Sequence, residues 1–397
     1  MAPAVTGQDR PVAPGRPAGR FTSVDDDLVT MFLCGDVMTG RGVDQILRHP
    51  GDPQLRESYV REATGYVALA EAASGPVPRP VEPAWPWGDA LTVLGDLAPD
   101  IRLINLETSI TRSGDFAPGK QVHYRMNPAN IGCLTVARPD VCALANNHVL
   151  DFGRGGLAET LDTLAGAGLP AAGAGRDVAT AQRAVMAGPA GRGRVSVVCC
   201  GTGSSGIPPG WAAGPSRPGV DLLPSLSQHA ADQVTGRAEA AGEPGDLTVV
   251  SLHWGSNWGY EVGRDQVAFA HRLIDGGVGL VHGHSSHHPR PIEVYRGRLI
   301  LYGCGDFIDD YEGIAGHREY RDDLRLMYFA SLRRGTGELA ELRMMPMQAR
   351  KLRLSHASGQ DRRWLAATLG RISRPFGAAV ELAPDGLLML HPPAGRR

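Results

Sequence analysis

Six short apolar segments, at residues 28–33, 101–105, 141–145, 247–252, 279–282 and 299–302, are each followed by a side chain that can bind a metal or move a proton. They lead into Asp36, into Glu107, into Asn147 and His148 with Asp151, into His253, into His284 and His287, and into Asp306. Another apolar segment at 195–199 and helical stretches at 156–167 and 265–275 alternate with them. Strand, helix, strand repetition argues an α/β fold with an open sheet covered by helices, and such sheets present their ligands at the carboxyl ends of the strands. Chance would scatter these residues; their shared position just past the strands predicts one convergent site.

Hydrophobic residues make up 42% of the 397 and charged ones 21%, enough to fill the core of one large domain. That domain is expected over 27–397, after a Pro-, Gly- and Arg-rich tail at 1–26 with the composition of a disordered segment. Two features interrupt the alternation. Residues 49–86 read as an insertion around a helix at 57–73, and 203–224 as a long Gly/Pro/Ser-rich loop carrying Trp211. An extension at 335–397 is expected to add strands (326–332 and 338–345 flank its start), a helix at 361–373 and a hairpin near 384–386.

A formal charge of -2 gives no basic footprint for nucleic acid or an anionic membrane. Residues 1–27 lack the apolar core of an export signal, and no run reaches the ~20 apolar residues of a membrane helix. The six cysteines form no C-x-x-C pair and sit mostly in apolar runs, so they read as buried thiols in a reducing cytoplasm. A cytoplasmic location is the expectation.

Carboxylates, an Asn carbonyl and imidazoles together suit a hard or borderline divalent ion such as Ca, Mn, Mg or Zn, and the absence of thiolates from the set argues against a structural zinc. No organic cofactor is expected. The run Gly201-Thr-Gly-Ser-Ser-Gly206 is followed by Pro208 and Pro209 instead of the helix a dinucleotide loop needs.

The order of these motifs resembles the CapA family, named for poly-γ-glutamate capsule proteins and related to calcineurin-like metallophosphoesterases. The matching stretches are Gly-Asp-Val-Met-Thr-Gly-Arg at 35–41, Asn-Leu-Glu-Thr at 105–108, Ala-Asn-Asn-His at 145–148 with Asp151 and Gly153, Leu-His-Trp-Gly at 252–255, Gly283 and His284 with His287, and Leu-Tyr-Gly at 301–303 before Gly-Asp-Phe at 305–307. The resemblance covers 28–329. It implies a phosphoesterase-like sandwich with flanking helices, and marks Asp36, Glu107, Asn147, His148, His253, His284 and His287 as residues at or beside a metal, with Asp36, Glu107, Asn147, His253 and His284 as the ligands.

Two departures bear on function. Ordinary metallophosphoesterases open with Asp-x-His, where this chain has Asp36-Val37-Met38, and continue with Gly-Asp-x-x-Asp, where it has Asn105-Leu106-Glu107. One ion is therefore expected, without the two-ion clamp of phosphoester hydrolysis. What remains are histidines beside carboxylates, suited to acid–base work at neutral pH. His148, Asp151, His284, His287, Asp306 and Asp36 are the catalytic candidates. Acid–base pairs on opposite faces of a carbon would invert it, and the chain is similar to a branch of the family that epimerises the Cα of a lasso-type precursor peptide. A metal-dependent peptide epimerase is thus the leading expectation, with a peptide as partner. Trp211, Trp254 and Trp258 would hold the peptide end and Arg41 or Arg290 its carboxylate. A metal-dependent phosphoesterase or other hydrolase is the runner-up, and a capsule-type accessory protein the third reading.

Other polar residues have plainer readings. His123, His229, His271, His317 and His356 read as ordinary polar or surface histidines, and Asn146 as a bond to its own turn. His282 and His288 flank the candidates as orienting or exposed groups. Asp309, Asp310, Asp322 and Asp323 read as solvated or paired with Arg318, Arg321 and Arg325.

Overall fold

The computed structural model describes residues 27–188, 193–314 and 316–391. The tail predicted at 1–26 lies outside them.

Strand Leu28–Val37 sits at the centre of a ten-stranded sheet. On one side it runs parallel to Ile101–Leu106, which leads to Val141–Ala143 and Ala171–Ala172; on the other it pairs antiparallel with Leu324–Arg333, which leads to Leu339–Arg350 and the terminal hairpin Ala379–Leu382 and Leu388–His391. A second sheet of seven strands is built around the parallel run Val195–Thr202, Leu247–His253, Leu280–His284 and Arg298–Leu301.

The two sheets pack face to face, and the period of two along their strands decides which residues meet. Met31 and Leu33 on the first sheet join Val197, Cys199, Val249 and Leu280 of the second in one buried cluster between them. Their neighbours Phe32 and Cys34 point the other way, into a cluster with Val93 and Leu94 of helix Ala90–Leu97 and Leu157 of helix Gly153–Gly166. On the far side, Val198, Cys200, Val250 and Leu252 meet helices Gln228–Ala241 and Arg264–Asp275. The layering is helix, sheet, sheet, helix. The open single sheet expected from the alternation is thus corrected to a sandwich, as the resemblance implied; a strand buried on both faces reads the same whether a helix or another sheet covers it.

Helix Gly359–Ser373, capped by Ser358 Oγ accepting from Asp361 N at 3.2 Å, adds Leu365, Leu369 and Ile372 to the inter-sheet cluster. The helix expected at 57–73 begins at Thr64 and ends at Ser74, because the chain before it is drawn inward by Glu57. All six cysteines are free and buried. Among the described residues no helix is long and apolar enough to cross a membrane.

Candidate metal centre

Strand register brings the donors together. In the first sheet Asp36 lies opposite Asn105 on one neighbour and Asp306 on another. A side chain on Gly35 is impossible here, since its Cβ would sit 1.6 Å from Gly305 O, so this glycine permits the crossing that sets Asp36 beside Asp306. In the second sheet Ser251 lies opposite His282 and His253 opposite His284, and all four project from one face because each pair is spaced by two residues. His282 Nε2 donates to Cys34 O at 2.9 Å and ties the two sheets together.

The result is two overlapping donor groups, Asp36 with His253 and His284, and Asp36 with His287 and Asp306, each with its ligand atoms within 4.8 Å of one another. The sequence suggested one ion; Asp36 is shared between two sets of donors. Glu107 Oε1 stands 3.8 Å from both His148 Nε2 and His253 Nε2.

The protons in this cluster can be placed by following its hydrogen bonds. His282 gives its Nε2 proton to Cys34 O, so its Nδ1 accepts from Ser251 Oγ at 3.0 Å. Ser251 Oγ, having donated, accepts from His284 Nε2 at 2.9 Å. His284 Nδ1 is therefore a bare lone pair, and it faces His253 Nδ1 at 2.8 Å. With the Asn147 carbonyl oxygen 2.9 Å from His253 Nε2, a neutral His253 can satisfy one of these two neighbours only, leaving acceptor against acceptor at the other.

Charge tells the same story. Burial, and then the neighbouring Asp306, push the Asp36 carboxyl up to about 7; burial and Asp36 push Glu107 well above the usual carboxylate range. Burial holds His253 and His284 well below theirs. Asp36 Oδ2 and Asp306 Oδ2 are buried without a hydrogen-bond partner. Converging lone pairs and unrelieved negative charge are what a divalent cation satisfies, so the residues fit a metal. Ser251 and His282 fix the tautomer that His284 offers it. Replacing Ser251 by alanine is expected to weaken divalent-ion binding about 10–100-fold, as loss of such an orienting partner does, measured by competition with a chromogenic chelator. An unchanged affinity would show that the tautomer is held some other way.

Beside these donors opens a cavity of about 450 Å3. His148 forms part of its wall, with Nδ1 2.6 Å from Asp151 Oδ2 and its ring stacked on Tyr124 at 3.7 Å. Lys120 Nζ lies 3.0 Å from the same Nδ1 and donates to Asp151 Oδ1 and Asn147 O, while Nδ1 gives its own proton to Asp151 Oδ2. Burial first, then the Lys120 charge, keep His148 neutral, so Nε2 faces Glu107 and the cavity as the unprotonated nitrogen. His287 differs. It sits 3.0 Å from Asp306 Oδ1 through Nδ1, and its Nε2 lies 3.0 Å from the Asn257 side-chain amide. Burial works against protonation of His287, yet the Asp306 charge lifts it above the ordinary histidine range.

The donors expected from sequence, Asp36, Glu107, Asn147, His253 and His284, are thus brought together with the catalytic candidates His287 and Asp306, and the His148–Asp151 pair lies beside them. Several of the substrate-binding expectations are corrected. Trp254 is buried against Tyr302 and Phe269, with Nε1 donating to Tyr302 O at 3.0 Å. Arg290 is buried and spent on Glu261 O and Ser256. Arg41 reaches the cavity, but its guanidinium is held by Glu57 at 2.8 Å and by Asp310. Trp211 packs against the core and under Lys120, outside the cavity lining. Of the five residues, Trp258 alone stands on the cavity wall without such a commitment.

Other expectations also shift. Asp309 is buried and paired with Arg325, one of the partners expected, whereas Asp310 is buried against Arg41. His317 is exposed but lies on the cavity wall, stacked on Trp258 at 3.9 Å, and His123 is buried between Phe116 and Phe152. Asn146 does bond its own turn, accepting from His148 N and Val149 N at 3.1 Å.

A two-sheet sandwich with imidazoles and carboxylates gathered at its strand ends is a metallophosphoesterase-like fold. The sequence model of the bacterial capsule synthesis protein PGA_cap family matches residues 30–311, and this chain belongs to that family. It is 54% identical over 369 residues to a probable polyglutamine synthesis accessory protein of Mycobacterium tuberculosis, covering 93% of this chain and 97% of the relative. It is 26% identical to the PGA biosynthesis protein CapA of Bacillus subtilis, over 80% of this chain and 72% of that one. The capsule biosynthesis protein CapA of Bacillus anthracis is 25% identical over 72% of this chain and 61% of its own.

Proposed function

We propose that this chain serves the synthesis of a glutamyl- or glutaminyl-type polymer, the role its relatives are named for, and that it contributes as a metal-dependent hydrolase of a phosphate ester. The observation that carries the enzymatic part is the sharing of Asp36 between two donor groups, with the His148–Asp151 pair alongside.

Divalent ions, when bound, supply Lewis-acid charge and a water made nucleophilic at neutral pH. The chain's own residues do the rest. Asp36, His253, His284, His287 and Asp306 set where that charge sits. Asp151, Lys120 and the Tyr124 ring hold the His148 imidazole edge-on to the cavity, so that Nε2 moves the proton of the attacking or leaving oxygen.

Epimerisation needs two acid–base groups, one for each face of the carbon. Of the two carboxylate-paired histidines on the cavity wall, His148 presents a ring nitrogen without a hydrogen-bond partner, whereas both nitrogens of His287 are engaged. The relatives' names also favour the capsule-type role over peptide epimerisation, and the hydrolase reading rests on the donor groups and His148 alone.

The test is turnover of p-nitrophenyl phosphate and its bis-ester by protein stripped with a chelator and reloaded with Mn or Mg. Hydrolysis restored by the ion is expected. A protein that binds ions yet cleaves neither ester would leave the non-catalytic accessory role, and deuterium entering one Cα of a peptide incubated in heavy water would reinstate epimerisation.

A further inference from the structure

Two phenols meet on the cavity wall. Tyr124 and Tyr311, 187 positions apart in the sequence, both line it, and their hydroxyls hydrogen-bond each other. A hydroxyl carries one proton and can accept two bonds. Of the two protons in the pair, one is consumed in the bond between them, whichever phenol donates it, and among the described residues neither hydroxyl has another hydrogen-bond partner. One proton is left over. Phenols ionise near pH 10, so at neutral pH it stays on oxygen as a hydrogen-bond donor.

Both rings are fixed in place. Tyr124 stacks on His148 at 3.7 Å, its backbone N–H donates to Asp151 Oδ2 at 2.6 Å, and the Arg41 guanidinium carbon lies 4.7 Å from the centre of its ring. Arg41 is itself held. It donates to Glu57 through Nη1 at 2.8 Å and to Asp310 through Nε at 3.1 Å, and its backbone has a φ of 43°, a left-handed conformation that a residue with a side chain keeps only where its surroundings enforce it. On the other side of the pair, the Tyr311 N–H donates to Asp309 Oδ1 at 3.0 Å, and the Tyr311 ring meets that of His287 edge-on, with centroids 5.3 Å apart. The two phenols thus reach from His148 to His287 in one of the metal-donor groups, along the wall of the cavity they share. A donor fixed in this way needs no reorganisation when negative charge arrives beside it.

We infer that the Tyr124–Tyr311 pair is an oxyanion donor, which hydrogen-bonds a non-bridging oxygen of a phosphoryl group seated between the metal donors and His148. The bond inside the pair polarises the outer hydroxyl and strengthens the bond it donates. The phenol keeps its proton throughout, so the pair stabilises charge and takes no share in the proton transfer assigned to His148. The inference rests on the hydrolase reading for the identity of that oxygen, and it extends to inorganic phosphate, which offers the same oxygens without a bond to break.

Inorganic phosphate, titrated calorimetrically into full-length, Mn-loaded protein, therefore reads the pair without turnover. Tyr→Phe changes keep both rings and with them the stacking on His148. In Tyr124→Phe/Tyr311→Phe, phosphate affinity is expected to fall about tenfold or more and kcat for p-nitrophenyl phosphate roughly 10²-fold, with bound-metal content unchanged. Each single variant keeps one hydroxyl with a free proton, and is expected to lose less than the double variant in both measurements. A pair that only braced the two segments it joins would lower the melting temperature and leave phosphate affinity alone. Phosphate bound by the double variant as tightly as by wild type, no phosphate binding by wild type, or loss of metal from the double variant would overturn the inference. Phosphate binding that depends on the two hydroxyls, in a protein that turns over no ester, would leave the donor in place and sink the hydrolase reading alone.

Discussion

Replacing Asp36 by asparagine should empty both donor groups at once, because each depends on that carboxylate. Loss of divalent-ion binding and of ester turnover is expected to exceed the roughly 10–100-fold penalty typical of an orienting partner, since here the shared ligand itself is removed. The metal-free protein should respond in the opposite direction. Its Asp36 is buried beside Asp306, which raises the carboxyl from 3.8 to about 7. A carboxyl whose folded pKa is raised leaves the fold at full stability below the unfolded value and costs stability as pH rises through the folded one. Between about pH 4 and pH 7 the metal-free wild type should therefore lose stability, and Asp36→Asn, which cannot ionise, should melt higher than it by the equivalent of at least about 1 kcal/mol near pH 8. Near pH 4 the two should converge. With Mn added the order should invert, since only the wild type gains from the ion. Thermal melts with and without chelator across this range read all three statements, and a metal-free variant less stable than wild type at pH 8 would contradict the account of the bare site.

The strand-end motifs made the donor set legible, because a residue at the end of a parallel strand has few places to go: Asp36, His253 and His284 lie at such ends, and Asp306 opens the short strand Asp306–Ile308 that runs parallel beside Asp36. Pairing register was not legible. Ser251 carries no signal on its own, and His282 reads only as an orienting or exposed group; their joint role appears when Leu247–His253 and Leu280–His284 are laid side by side so that Ser251 meets His282. Lys120 and Tyr124 come from a stretch between short strands with no periodic pattern to place them, and Arg41 meets Glu57 and Asp310 across 16 and 269 positions of sequence. The Trp254 error had a remedy in the sequence. Alternation along a strand turns the residue after His253 to the other face, and that face packs on Phe269 of the helix behind the sheet. Whether a second sheet or a layer of helices covered the first was beyond reach of pattern, since strands such as Val195–Thr202 are apolar on both faces either way.

His148→Ala should separate chemistry from metal binding. The imidazole is held by Asp151 and the Tyr124 ring, and its Nε2 approaches Glu107 no closer than 3.8 Å, so deleting it removes none of the donors in either group. Ion affinity should stay within a few-fold of wild type, while turnover of the p-nitrophenyl esters falls by roughly 10²–10⁴, the range a positioned general acid or base contributes. Asp151→Asn should fall between the two: the ring keeps a partner at Nδ1, but the amide no longer neutralises Lys120, which lies 3.0 Å from that nitrogen and disfavours any proton on the ring. Because Nε2 is unprotonated at rest, it is poised to take a proton from the attacking water, and in both variants turnover of an aryl ester with a good leaving group and of an alkyl ester should suffer alike. A smaller loss for the aryl ester would move His148 to the departing oxygen. Loss of bound metal together with activity in His148→Ala would make this histidine a ligand, and the acid–base role would then have no residue in the cavity to carry it.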